Sequence, residues 1–388
     1  MTDASGSPAD LLDRWVRDGS TVAIADGVGA PTELCAHLSE VAASRKGVRL
    51  ILGWCPEIPR GLDLSAFSDI RSFMPGTLLR DHVMQGRVHY VPAYLSQVSA
   101  LVSGPWRPDV LLLSVRETSG GPNLATEASW ISAAARSAGV CIAELNNSLP
   151  DAVRLPQLDG VDLTIAVTTA APPVQLASRE PDSLDLAVAA RIVPLLKPGA
   201  TLQYGPGPMA EAVLSSLQSP IRIDSGIITD AVVTLAERGL VMGTPTATYL
   251  SGTDTLYEWA HERGILAPIE FTHDTSRLAA ADLVALNTAL QIDLLGQVAL
   301  EAPGGRAAGI GGHADYAYAA SRSAGGLSII ALPSSRAGRS TLVERLQLPA
   351  STPRSVVDVV VTEHGHADLR GLSDAERAHA IGSLYPEG

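Results

Sequence analysis

The stretch GIGGHADYAYAASRSAGGLSIIALPSS, residues 309–335, gathers residue types that acyl-transfer chemistry needs. Gly309, Gly311 and Gly312 form a glycine-rich loop just ahead of His313, Asp315 and Tyr316, and Gly325 and Gly326 precede the apolar run Leu327–Leu332. Backbone N–H groups of such a loop can serve as oxyanion donors, because no side chain keeps a carbonyl from reaching them. A neutral imidazole beside the loop can act as general base toward water, since its ordinary pKa lies close to neutral. The same pattern also fits a structural turn followed by a hydrogen-bonded loop histidine.

Two further glycine-rich loops sit in an internal repeat. Residues 19–38 read GSTVAIADGVGAPTELCAHL and residues 199–218 read GATLQYGPGPMAEAVLSSLQ. At one constant offset, Gly19, Thr21, Gly27, Ala30 and Leu34 match Gly199, Thr201, Gly207, Ala210 and Leu214. Each copy reads as a strand, a glycine-rich loop (Gly205 and Gly207 in the second) and an amphipathic helix, which points helix N–H groups at any anion bound there. Neither copy is a dinucleotide fingerprint or a P-loop, and a tight strand-to-helix turn explains either one alone.

The elements that must position these loops alternate short Val/Leu/Ile runs with helical patterns, as in parallel α/β folds. Strands are expected at Thr21–Ala25, Val48–Leu52, Val88–Val91, Val110–Val115, Val140–Glu144, Asp162–Ala166 and Leu327–Leu332, and helices at Pro31–Ala43, Tyr94–Ser103, Thr126–Ala138 and Leu186–Leu196. The Pro/Ser-rich stretch Thr168–Asp185 breaks both periodicities and reads as a linker. With 388 residues, more than one hydrophobic core usually serves, the chain is expected to form two domains, 1–185 and 186–388, related by the repeat.

A net charge of −13, with Lys46 and Lys197 the only lysines, argues against nucleic acid or an anionic membrane as partner. Cys35, Cys55 and Cys141 form no CxxC pair or Cys/His cluster and read as buried, reduced residues, with no metal expected. MTDASGSPAD at the start lacks the basic and apolar parts of a signal peptide, so a cytoplasmic location is expected.

From about Asp18 to Ile381 the chain resembles the acetyl-CoA hydrolase/CoA-transferase family, including butyryl-CoA and 4-hydroxybutyrate CoA-transferases. GIGGHADY (309–316) is similar to the family's GxGGQxDF, GGLSIIALPSS (325–335) to GGKSIIALPST, and VTEHGHADLRGLSDAERA (361–378) to VTExGxAxLRGxSxxERA. AELNNSLP (143–150), LNTALQIDLLGQV (286–298) and ATLQYGPGPMAEAVL (200–214) also match. The resemblance implies two CoA-transferase-like (NagB/RpiA-type) α/β domains with the active site between them. It also implies coenzyme A, as acyl-CoA substrate, and assembly of the chain into a homo-oligomer such as a dimer. It places oxyanion stabilisation on Gly311 and Gly312 and has Asn287 assist the thioester carbonyl, where a turn or strand-end role would serve equally.

One departure changes the expected chemistry. Family transferases attack the thioester with a glutamate in a segment like IHSEMISDGVVDL; this chain reads IDSGIITDAVVTL from Ile223 to Leu235, with Gly226 at the nucleophile position. Glycine cannot form an acyl anhydride or hold CoA covalently. Asp224 shares Gly226's face of a strand but stands about 6–7 Å away, too far for attack. His313 replaces the family's glutamine, so hydrolysis with His313 as base, at the thioester or at a C–C bond of a cyclic or β-keto acyl-CoA, becomes the expectation. A transferase with a substitute carboxylate and a non-catalytic acyl-CoA-binding protein remain alternatives. Glu117 is a further candidate base, and Glu144 and Glu363 could each support a water or pair with Arg370 or Arg377. Leu327 stands where the family has lysine, leaving Arg336 and Arg339 as phosphate partners or as a solvated surface pair.

Overall fold

A computed structural model describes residues 6–301 and 309–385. The chain divides into two compact units. One runs to Leu176 and takes in Thr248–Glu270 and Gly309; the other holds Ala177–Ala247, Phe271–Glu301 and the chain from Ile310. A single cut after residue 185 therefore does not describe the division, because Thr248–Glu270 returns to the first unit.

In the first unit the sheet order is His89–Tyr90, Asp69–Ser72, Arg49–Leu52, Thr21–Ile24, Val110–Thr118, Val140–Asn146, Leu163–Thr169. All these neighbours are parallel, and Gly121–Asn123 adds an antiparallel return on the end of Val110–Thr118. The central strands are almost unbroken Val, Leu and Ile because both faces of a parallel sheet are covered. Asp69–Ser72 carries no apolar run, so its strand was invisible to periodicity; only Ile70 and Ser72 point inward. The helix expected over Thr126–Ala138 shortens to Ile131–Ser137, since Ser129 takes a positive φ and Glu127 bridges to Tyr249.

The second unit has the order Arg222–Ile223, Thr201–Tyr204, Leu283–Thr288, Leu327–Ala331, Val359–Thr362, Gly365–Asp368, parallel except for the last pair. Both copies of the repeat fold as a strand, a glycine-rich loop and a helix: Thr21–Ile24 into Thr32–Ala43, and Thr201–Tyr204 into Pro208–Ser216. Each of those strands lies inside its sheet with a parallel neighbour on both sides. After the irregular stretch 170–182, Asp182 caps the helix Ser183–Ile192 by accepting from the backbone N–H groups of Leu184 and Asp185. Pro194 lies in the short 3-10 turn that follows.

Candidate active site

In the second unit, parallel pairing sets Asn287 at the end of Leu283–Thr288 near Gln203 on the adjacent strand. The two buried amides exchange both hydrogen bonds, each 3.2 Å long. A β-carbon on Gly205 would stand 3.8 Å from Asn287 Oδ1. The GIGGHADY segment turns into the helix His313–Ala320 at Gly312. His313 is buried at its first position: Nδ1 lies 2.8 Å from the Ile310 carbonyl and Nε2 2.5 Å from Thr352 Oγ1. A carbonyl only accepts, so Nδ1 carries the proton and Nε2 accepts from the Thr352 hydroxyl. Burial pulls the His313 pKa down to about 4, and the ring is neutral at pH 7.

His273 is the residue that linear motifs did not reveal. It lies in FTHDTSRL, which matches no catalytic pattern, yet its imidazole packs against both Gly226 and Gly312. A β-carbon on Gly312 would overlap Nε2 and Cδ2 of His273, so the close approach requires glycine there. At Gly226 a β-carbon would meet His273 Nε2 at 3.7 Å and Tyr316 Cε2 at 3.9 Å, ordinary contact distances. Burial, then the charge of Arg277, draws the His273 pKa down to about 3. Asp224, two residues before Gly226, receives both ends of the Arg277 guanidinium, at 2.5 and 3.0 Å. Ser225 donates its hydroxyl to the Tyr204 carbonyl at 2.9 Å.

The first unit holds its own group of buried acids around the Gly27–Gly29 loop. Asp26 Oδ2 accepts from Trp130 Nε1, Tyr249 OH and the Trp54 N–H at 2.9, 2.8 and 3.2 Å. Burial raises its pKa to about 6. Glu127 accepts from the Thr126 hydroxyl at 2.7 Å and the Gly29 N–H at 3.3 Å; burial, with the Asp26 charge adding to it, raises its pKa to about 8. Glu144 caps the helix Thr32–Ala43, accepting from the Leu34 N–H at 2.7 Å, and burial lifts it to about 7. A cavity of about 570 Å³ opens beside Glu144 and Asn146 against the Gly27–Ala30 backbone. Asp26 and Glu127 escaped the sequence reading because distant segments bring Trp130 and Tyr249 to Asp26 and Gly29 to Glu127.

Residues 252–384 match the acetyl-CoA hydrolase/transferase C-terminal domain. The 4-hydroxybutyrate coenzyme A transferase of Clostridium kluyveri is 28% identical over 94% of this chain and 91% of its own length. A butyryl-CoA:acetate CoA-transferase of Anaerostipes caccae is 28% identical over 80% of this chain and 76% of its own. Residues 252–384 thus carry an acetyl-CoA hydrolase/transferase C-terminal domain, and the chain is similar to CoA-transferases over most of its length. RipA from Yersinia pestis shares the fold, with a TM-score of 0.85 at 24% identity over 98% of this chain and 94% of that one.

In this chain the structure brings Gly226, Gly312, His273 and Tyr316 together, while Glu144 and Glu117 lie in the other unit. Glu117 is exposed, with its backbone N–H on Asn147 Oδ1. Neither acid expected to pair with Arg370 or Arg377 does so. Glu144 caps a helix, and Glu363 accepts from the Ser334 N–H and hydroxyl at 2.9 and 2.5 Å. Arg370 pairs with Asp368, and Arg377 donates to backbone carbonyls including Leu295 and Leu369. Gly326 lies so close to the Leu283 carbonyl that a side chain would overlap it, and Gly325 precedes it at the turn into Leu327–Ala331. Gly207 begins the helix Pro208–Ser216, and Gly309 faces the Phe73 carbonyl. Arg336 and Arg339 are exposed and directly opposed across a small hairpin.

Proposed function

We propose that this chain is an acyl-CoA-processing enzyme that hydrolyses its thioester rather than passing CoA through a glutamyl anhydride. The observation that carries the reading is what surrounds Gly226. The motif resemblance assigns that position to the nucleophile, and it has no side chain. A neutral imidazole stands over it, and the nearest carboxylate in sequence, Asp224, is bound at both oxygens' side by Arg277. With no carboxylate on residue 226 and Asp224 held by Arg277, water serves as the nucleophile in this reading. Its oxygen bonds to the acyl carbon, the C–S bond breaks, and the sulfur leaves as a thiol with the proton that water gives up.

In this reading the Gly311–Gly312 loop lines the thioester, and Asn287, held by Gln203, shapes the wall beside Gly205. His313 fixes the loop through Ile310 and Thr352. Arg336 and Arg339 supply positive charge for the CoA phosphates, since like charges set opposite each other on a hairpin are relieved by a shared anion.

Thiol release from acetyl-CoA and butyryl-CoA, with water as sole acceptor, tests the reading directly. Release without any protein-bound CoA in intact-mass spectra is expected. CoA exchange onto added acetate through a covalent adduct would restore classical transfer, and acyl-CoA binding without turnover would make the chain a binding protein.

A further inference from the structure

Two buried polar atoms of the second unit, His273 Nε2 and Tyr316 OH, have no hydrogen-bond partner among the described residues. Both residues are 1% exposed. Their rings meet edge to face, with centroids 5.0 Å apart at 65°. Both also border the spot where a β-carbon on residue 226 would stand, at 3.7 Å from Nε2 and 3.9 Å from Tyr316 Cε2. A buried polar group left unsatisfied is destabilising. Two residues that carry such groups and border one place call for a common partner from outside the chain.

The placement of the protons bears on the nature of that partner. Thr272 Oγ1 lies 2.9 Å from His273 Nδ1; when its hydroxyl donates there, the ring proton sits on Nε2. Tyr316 keeps its proton, because burial and then the Asp224 charge push its pKa well above the ordinary value. Burial likewise keeps His273 neutral, which makes it a poor base and a lasting donor. Two donors on side chains that border one place, with no acceptor paired to either among the described residues, fit an oxygen that gains negative charge.

We propose that His273 Nε2–H and Tyr316 O–H form a side-chain oxyanion site over Gly226 that receives the carbonyl oxygen of the acyl thioester. The proposal rests on the hydrolytic reading for the identity of its ligand. As water adds to the carbonyl carbon, the C=O π pair moves onto oxygen and the two donors bind it. When that pair returns, the C–S bond breaks and the thiolate takes the proton released by the attacking water. Neither donor gives up its own proton. Gly226 serves by leaving the place empty of side chain.

Tyr316→Phe and His273→Phe test the assignment with two readouts. Removing one such donor lowers kcat about 100-fold, with KM for acyl-CoA little changed. Because Tyr316→Phe deletes an unsatisfied hydroxyl, its Tm should equal or exceed that of the parent. A purely structural Tyr316 would leave kcat unchanged, and that result overturns the proposal. The second readout is independent of turnover. An acetyl-CoA analogue with a methylene in place of sulfur, 13C-labelled at its ketone, should show a downfield carbonyl shift when bound to the parent and lose it in both variants. An equal shift in parent and variants overturns the proposal. If the parent releases no thiol yet shows a shift that the variants lack, the oxyanion site stands and hydrolysis falls. If the parent releases thiol and Tyr316→Phe releases it as fast, hydrolysis stands and the site falls.

Discussion

Arg277 grips Asp224 with both arms of its guanidinium, at 2.5 and 3.0 Å, while its flat face lies over the Phe271 ring at 4.3 Å. Asp224 is buried, and Arg277 is only partly exposed. Removing one partner of such a pair strands the other charge away from water, at a cost of about 3–5 kcal/mol. Arg277→Met should therefore lower unfolding free energy by about that amount in urea titrations. Asp224→Asn combined with Arg277→Met should recover most of the loss. Equal stability of Arg277→Met and the parent would show that the pair contributes nothing.

Gly312→Ala probes the contact with His273. A methyl at 312 overlaps Nε2 and Cδ2, so the imidazole or the loop must move. Overpacking of this kind costs about 1–3 kcal/mol, and thiol release should fall with it. Gly226→Ala meets the same ring at ordinary contact distance and should keep the parent Tm. Thermal melts of the two variants side by side decide the matter, and a Tm loss in Gly226→Ala matching that of Gly312→Ala would contradict the packing described.

Stability should decline as pH rises from about 6.5 to 8. Asp26, Glu144 and Glu127, raised by burial to about 6, 7 and 8, stay protonated in the folded chain where the unfolded chain has already ionised. Their contribution is complete below the unfolded carboxyl pKa and disappears as pH climbs through the folded values. His273 and His313, lowered to about 3 and 4, act in the opposite sense: their contribution is present above the unfolded histidine pKa and is lost on acidification. Above about 6.5 the histidines no longer compensate. Asp26 has by then ionised in the fold as well, so the slope, up to about 1.4 kcal/mol per pH unit each, comes from Glu144 until about pH 7 and from Glu127 until about pH 8. Glu127→Gln should flatten this alkaline decline; an unaltered pH profile of Tm would place the Glu127 carboxyl as ionised in the fold.

Arg336→Ala with Arg339→Ala should raise KM for acyl-CoA severalfold at low salt and leave kcat and Tm close to the parent. Exposed charges act through a screened field, so 0.5 M salt should shrink the difference. A KM that is unchanged at every ionic strength would remove the hairpin from CoA binding.

Local pattern alone was enough for the α/β alternation, the two strand–loop–helix repeats and the family motifs. Burial on both faces of a parallel sheet writes itself into a strand as a run such as VLLLSV, whatever lies elsewhere in the chain. Asp69–Ser72 escaped because a short strand with one inward apolar residue leaves too little of that signal. The absence of a carboxylate at 226 was equally plain from the residue type.

Only the tertiary structure decided what fills the surroundings of that glycine. His273 and Tyr316 converge on it, Arg277 crosses 53 positions to bind Asp224, and Tyr249 crosses 223 to reach Asp26. Hydrophobic periodicity reports whether a residue is buried, not which polar group will meet it. Those meetings depend on strand order and on where the chain returns, and these are settled by the packing of whole elements.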